Sequence, residues 1–83
     1  MIFERNGRKY ELLKGSDVIN DTTYLELNDI TDGHPKGILF GEKAENGELR
    51  FLSLQHLGQP AEKVLLIPLP LVEEFISWMK ERL

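Results

Sequence analysis

Two histidines and two aspartates are the residues of this sequence whose side chains could form a catalytic metal site. They are His34, His56, Asp29 and Asp32. Imidazole nitrogens and carboxylate oxygens bind catalytic zinc, so a small metal-dependent enzyme that uses His34 and His56 is one hypothesis. The sequence lacks HExxH and the other short spacings that are typical of zinc sites. We therefore expect no metal and no cofactor, and this hypothesis ranks last.

Motifs for nucleophilic catalysis and for phosphate binding are also missing from the sequence. The chain has no cysteine, and no serine lies in a GxSxG elbow. Gly33, Gly37 and Gly41 are spaced four apart, but no P-loop lysine follows them. Small domains also seldom have a cleft that desolvates a catalytic carboxylate. We predict that the protein is not an enzyme and has no catalytic residues.

The elements that would position these side chains begin with an N-terminal β-hairpin. The dipeptide at 6–7 is Asn-Gly, which favours the positive φ angles of a two-residue type I′ turn. This turn places Phe3 opposite Tyr10. Residues 14–22 have no apolar period and predict a loop, whereas residues 23–30 alternate between apolar and polar side chains. That alternation predicts a strand with one buried face.

A second Asn-Gly dipeptide, at 46–47, predicts another hairpin between residues 37–45 and 48–57. A two-residue loop would place Glu42 opposite Phe51 and Lys43 opposite Arg50. Because the second pair brings two like charges together, a turn that is longer by one or two residues is the alternative.

The second hairpin carries apolar side chains on both of its faces. In the two-residue register the faces consist of Leu39, Leu52 and Leu54 on one side and Ile38, Phe40, Leu49 and Phe51 on the other. Strands that are apolar on both faces are typical of sheets buried on both sides. Either the sheet closes into a small barrel or a second chain covers the second face.

The C-terminal part of the sequence predicts one more strand and a helix. Residues 64–68 form a short apolar run, and residues 70–83 place apolar side chains on one side of a helix with a 3.6-residue period. The elements together predict a single α+β domain over residues 1–83. Its fold would be an antiparallel meander sheet of about five or six strands, curled or half-barrel, packed on one C-terminal amphipathic helix.

Charge and hydropathy restrict the classes of partner. The net charge is −4, and the ten basic residues are scattered along the chain, whereas nucleic-acid binding depends on clustered lysine and arginine. No apolar run approaches the ~20 residues of a membrane span, and charges interrupt the N-terminal region where a secretion signal would be apolar. We predict a cytoplasmic protein that binds neither nucleic acid nor membrane.

Protein binding is the function that these patterns favour. The leading hypothesis is a small non-catalytic interaction module, a homodimer through an apolar sheet face that contains Ile38, Phe40, Leu49 and Phe51. The alternative is an acidic inhibitor or immunity-type protein that binds a basic toxin or nuclease, because the chain is small and carries a net charge of −4.

Overall fold

A computed structural model describes residues 1–55 and 65–83 of the chain. The elements within these ranges are β1 (Ile2–Arg5), β2 (Arg8–Asp17), β3 (Thr22–Asp29), β4 (Lys36–Lys43), β5 (Leu49–Ser53) and the helix α1 (Leu69–Arg82). The five strands form one sheet in sequence order, and each pairs antiparallel with its neighbours. The predicted α+β meander with a C-terminal helix is confirmed, and the sheet is not closed into a barrel.

The first hairpin has the predicted register. Phe3 pairs with Tyr10, and their rings stack with centroids 5.6 Å apart. Asn6 has φ 53° and Gly7 has φ 78°, as a type I′ turn requires.

The β2–β3 connection is shorter than predicted. A loop over residues 14–22 is wrong, because β2 continues to Asp17, which pairs with Thr22. The turn itself contains only residues 18–21, and Asp21 adopts a left-handed φ of 52° within it. The Asp17 carboxylate accepts hydrogen bonds from backbone N–H groups of the turn, an Asx motif that allows a tight reversal without a periodic pattern in the sequence.

The second hairpin has a three-residue loop. The N–H of Gly47 donates to the carbonyl of Ala44 at 2.8 Å, and the N–H of Ala44 donates to the carbonyl of Glu48 at 2.9 Å. Gly47 has φ 87°, so this is a turn followed by a left-handed bulge residue. The two-residue register is therefore wrong by one residue, and the longer turn is confirmed. Strand β5 shifts by one residue, so its side chains exchange faces relative to that register.

Strand β4 contains an irregularity that places two consecutive residues in the core. Leu27 pairs with Leu39, but Asn28 pairs with Gly37, so Ile38 is an additional residue in β4. Ile38 and Leu39 are both buried beneath the helix. The buried core consists of Tyr10, Leu12, Leu25, Leu27, Ile38, Leu39, Leu71, Phe75 and Met79.

Helix α1 buries one stripe of side chains against the sheet. Leu71, Phe75 and Met79 recur every four residues and are buried, as the amphipathic pattern predicts. Met79 packs against Gly41, and a Cβ atom at position 41 would overlap the thioether and force the Met79 side chain to move, so glycine there allows close approach of helix and sheet. The further strand predicted at 64–68 is absent from residues 65–68, which have no regular structure. Val64 lies outside the described residues.

Candidate protein-binding surface

Strand β5 is an edge of the five-stranded sheet, and its side chains are exposed on both faces. Phe51 and Leu52 are each 51% exposed, and Leu49 is 39% exposed. Among the described residues, no strand pairs with the outer side of β5. We name Leu49, Phe51 and Leu52 together with the free side of β5 the β5 edge.

On the helix side, the β5 edge borders an apolar groove of about 190 Å³. The groove is lined by Leu49, Arg50, Phe51, Ile76, Met79 and Lys80. The groove is present because Met79 packs over Gly41 of β4, the strand next to β5. Only the margin of the apolar face of α1 therefore lies beside β5. Side chains of a partner could therefore contact both β5 and α1.

On the opposite side, the β5 edge continues into an aromatic cluster. Phe40 pairs with Leu52 and stacks on Tyr24 with ring centroids 5.4 Å apart. Arg50 donates to the Glu42 carboxylate at 2.8 Å beside this cluster. The charge of Arg50 is thus partly neutralised within the chain, and the surroundings of Leu52 are largely apolar.

The four residues predicted to form one apolar face do not lie together. Ile38 is 1% exposed and belongs to the core, because the extra residue in β4 turns it beneath the helix. Phe40 lies on the side of the sheet away from the helix, whereas Leu49 and Phe51 lie on the helix side at the edge. That set of four as a single face is wrong, because it assumed a regular β4 strand as well as the two-residue register between β4 and β5.

Leu52 is an exposed residue that the predicted face omits, because the two-residue register places it, like Leu49 and Phe51, on the wrong face of the sheet. The like-charge pair of Lys43 and Arg50 is the sequence signal that could have corrected it, because a three-residue loop pairs Arg50 with Glu42 instead.

Of the residues considered for a metal site, Asp29 has other partners in the structure. The Asp29 carboxylate is 3% exposed, accepts a 2.7 Å hydrogen bond from Arg8 Nε, and also accepts from the N–H of Thr31. It lines a cavity of about 350 Å³ with Asp32, His34 and Lys36. Within residues 1–55 and 65–83, no three His, Cys, Asp or Glu side chains are grouped to hold a metal. His56 lies outside these residues, so the His34 and His56 hypothesis stays a prediction.

Two opposing effects act on the Asp29 carboxyl. Burial alone would raise its pKa, but hydrogen bonds from Arg8 and Thr31 and the charge of Arg8 outweigh burial and hold the pKa below its usual value. Burial and the nearby Asp29 charge raise the pKa of Tyr10. A carboxylate stabilised in this way acts as a structural anion that ties the β3 end to the first hairpin, and it is a weak proton acceptor.

Comparison of the chain with family models, curated proteins and solved structures gives no match. In the described part of the chain, no helix is long and apolar enough to cross a bilayer. Function is therefore inferred from the geometry of the surface itself.

Proposed function

We propose that the protein is a non-catalytic interaction module that forms a homodimer by antiparallel pairing of β5 with β5 of a second copy. The observation that carries this proposal is an edge strand whose apolar side chains are exposed on both faces. Sheet edges that stay unpaired are usually protected by shortness, charge, bulges or proline. Among its five residues β5 has a single charged one, Arg50, and that charge is bound by Glu42.

The direction of the peptide groups in β5 determines which residues could form backbone hydrogen bonds with a second copy. The N–H of Leu54 donates to the carbonyl of Ile38 in β4 at 3.0 Å. Alternate residues of an antiparallel strand point their peptide groups to the same side. The peptide groups of Leu52 therefore also point to β4. The peptide groups that point away from β4 are those of Leu49, Phe51 and Ser53.

If the twofold axis of the dimer passes beside Phe51, all of these outward peptide groups can form hydrogen bonds between the two copies. In that arrangement Phe51 pairs with its counterpart, and Leu49 pairs with Ser53 of the second copy. Arg50 lies opposite Leu52 of the second copy, so no like charges face each other. The two sheets would join into one continuous sheet, and both Phe51 rings would lie next to the groove beside α1.

The affinity expected of this dimer is moderate. Strand β5 has five residues, whereas a standard interface has about 20 to 30 residues on each side. We expect a dissociation constant on the order of 10 µM, which makes association depend on concentration.

Sedimentation velocity over a range of about 1 to 500 µM tests the proposal directly. Wild type should shift from monomer to dimer, and Phe51→Lys should raise the dissociation constant at least about 30-fold by placing charges at the twofold axis. Ile2→Lys is the matched control, since Ile2 is an exposed apolar residue on the other edge strand. Wild type that remains monomeric at the highest concentration contradicts the proposal.

A substitution that removes one backbone N–H distinguishes pairing through β5 from nonspecific association. Ser53→Pro removes an N–H that has no partner in β4, so folding should be retained while pairing is lost. Ser53→Thr keeps the N–H and should dimerise like wild type. Equal dimerisation of the proline and threonine variants would rule out pairing through β5.

A further inference from the structure

The turn between β2 and β3 presents two apolar side chains almost completely to solvent. Val18 is 91% exposed and Ile19 is 89% exposed. They occupy adjacent positions in the turn of residues 18–21, which we name the Val-Ile tip. Isolated exposed apolar residues are common, but two adjacent ones at the end of a hairpin form a projecting apolar surface.

The conformation of the Val-Ile tip is fixed by Asp17. Its carboxylate accepts hydrogen bonds from the N–H of Ile19 at 3.0 Å, the N–H of Asn20 at 3.3 Å and the side-chain amide of Asn20 at 2.7 Å. The side-chain bond from Asn20 is the largest cause of a lowered pKa for Asp17, so the carboxylate stays charged near neutral pH. Val and Ile are also branched at Cβ and have few rotamers to lose. Binding through this tip would therefore carry a small entropic penalty.

The surroundings of the Val-Ile tip are acidic. Asp17 and Asp21 flank it in the chain. A cleft of about 530 Å³ lies beside it and is lined by Asp17, Asn20, Thr22, Glu42, Ala44, Glu45, Asn46 and Arg50. The one basic side chain of that lining, Arg50, is bound to Glu42. Anionic lipids and nucleic acids would be repelled from this end of the sheet, whereas lysine and arginine side chains would be attracted.

We infer that the Val-Ile tip inserts into an apolar pocket of another protein whose rim carries lysine or arginine side chains. The apolar pair supplies the buried contact, and the surrounding carboxylates supply orientation and selectivity. This is the surface expected of an acidic inhibitor, so it gives the second hypothesis from the sequence a location. It is separate from the β5 edge and does not depend on dimerisation.

Photo-crosslinking identifies the protein that the Val-Ile tip contacts. The chain is made with a diazirine analogue of leucine in place of Ile19, irradiated in an extract of its native cells, and its adducts are mapped by mass spectrometry. The inference requires an adduct inside an apolar pocket that lysine or arginine side chains surround. Adducts only with a second copy of this chain, or no protein adduct, would overturn it.

The protein identified in this way is then purified and titrated with defined variants. The double variant Val18→Ser with Ile19→Ser should bind about 100-fold more weakly, because two apolar side chains lose their burial. Ile2→Ser is the control for loss of an exposed apolar residue elsewhere and should bind as wild type. Binding should weaken about tenfold between 0.05 and 0.5 M salt. Equal affinity of the double variant and wild type would overturn the inference.

Two further measurements separate protein binding by the tip from lipid binding and from self-association. Wild type should not sediment with vesicles of phosphatidylcholine and phosphatidylserine, and sedimentation that the double variant abolishes would assign the tip to lipid and overturn the inference. The double variant should dimerise like wild type, since residues 18 and 19 lie outside β5. Loss of dimerisation would place the tip in the self-interface instead.

Discussion

The β1 edge of the sheet is closed by contacts with α1, whereas among the described residues no element closes the β5 edge in this way. At the β1 edge, Phe3 packs between Tyr10 and Trp78, with ring centroids 5.6 Å and 5.4 Å away. Arg5 bonds to Glu74 of the helix at 2.9 Å. At the β5 edge, Phe51 and Leu52 remain half exposed.

The contrast shows that α1 covers the β1 edge of the five-stranded sheet better than it covers the β5 edge. Its buried stripe lies over the inner strands, and Trp78 extends its coverage to β1. Strand β1 is also short and carries two charged residues among four, which are features that protect an edge. Strand β5 is one residue longer and carries one charged residue among five, so it is less protected by charge. This difference and its exposed apolar side chains are the basis of the dimer proposal.

Truncating the same residue type at both edges gives the largest expected difference. Phe3→Ala should lower the free energy of unfolding by about 2 to 3 kcal/mol, because a partly buried ring leaves its packing. Phe51→Ala should lower it by less than about 1 kcal/mol when measured at a concentration where the chain is monomeric. Urea unfolding followed by circular dichroism measures both. Equal losses would show that the β5 edge is packed as well as the β1 edge.

The buried carboxylate near the closed edge should have the next largest effect. Asp29→Asn should lower the free energy of unfolding by about 1.5 to 3 kcal/mol, because Arg8 and Thr31 lose a charged hydrogen-bond acceptor. Asp32→Asn, a matched change at an exposed residue of the same cavity, should alter it by less than about 0.5 kcal/mol. Chemical denaturation at neutral pH compares the two, and a loss shared equally by both variants would contradict the role of Asp29.

The pH dependence of stability gives a smaller signal from the same residue. The pKa of Asp29 is lowered in the folded state, so its contribution is complete above the unfolded pKa of about 3.9 and disappears as the pH falls through the folded value. Wild type should therefore lose more stability than Asp29→Asn between pH ~5 and ~2. Thermal unfolding across this range measures the difference, and parallel curves would show that Asp29 is not linked to folding.

The surface ion pairs at the two edges should contribute least, and equally. Double-mutant cycles for Arg5 with Glu74 and for Arg50 with Glu42 should each give about 0.2 to 1 kcal/mol. Similar values would mean that apolar packing, and not charge, distinguishes the edges. A much larger coupling for Arg5 with Glu74 would instead assign the closed edge to electrostatics.

Local rules explain which parts of the fold could be predicted from the sequence. The turn at Asn6 and Gly7 defines a register without help from the rest of the chain, and the period of α1 identifies its buried residues. The same dipeptide at 46–47 did not define a register, because Asn46 is not in the left-handed region and only Gly47 is. Dipeptide identity alone does not distinguish these two turns.

The candidate surfaces were harder to predict because they depend on single-residue shifts. An extra residue in β4 buries Ile38 beside Leu39, and both are apolar, so the pattern is compatible with either face. The Val-Ile tip was hidden in a segment without period, although Asp17 three residues before Asn20 is a turn signal. Whether an apolar side chain is exposed depends on tertiary packing, and the residues next to it in the sequence do not determine that packing.

The meander topology also has a consequence for biosynthesis. Each of the five described strands pairs with its neighbour in sequence, so the ribosome releases a chain whose sheet contacts are short in range and can form early. Helix α1 is synthesised after these strands, and until it emerges Leu12, Leu25 and Leu27 lack the cover that it provides. Nascent chains stalled before residue 69 would therefore expose this apolar face to solvent, and the addition of α1 would cover it.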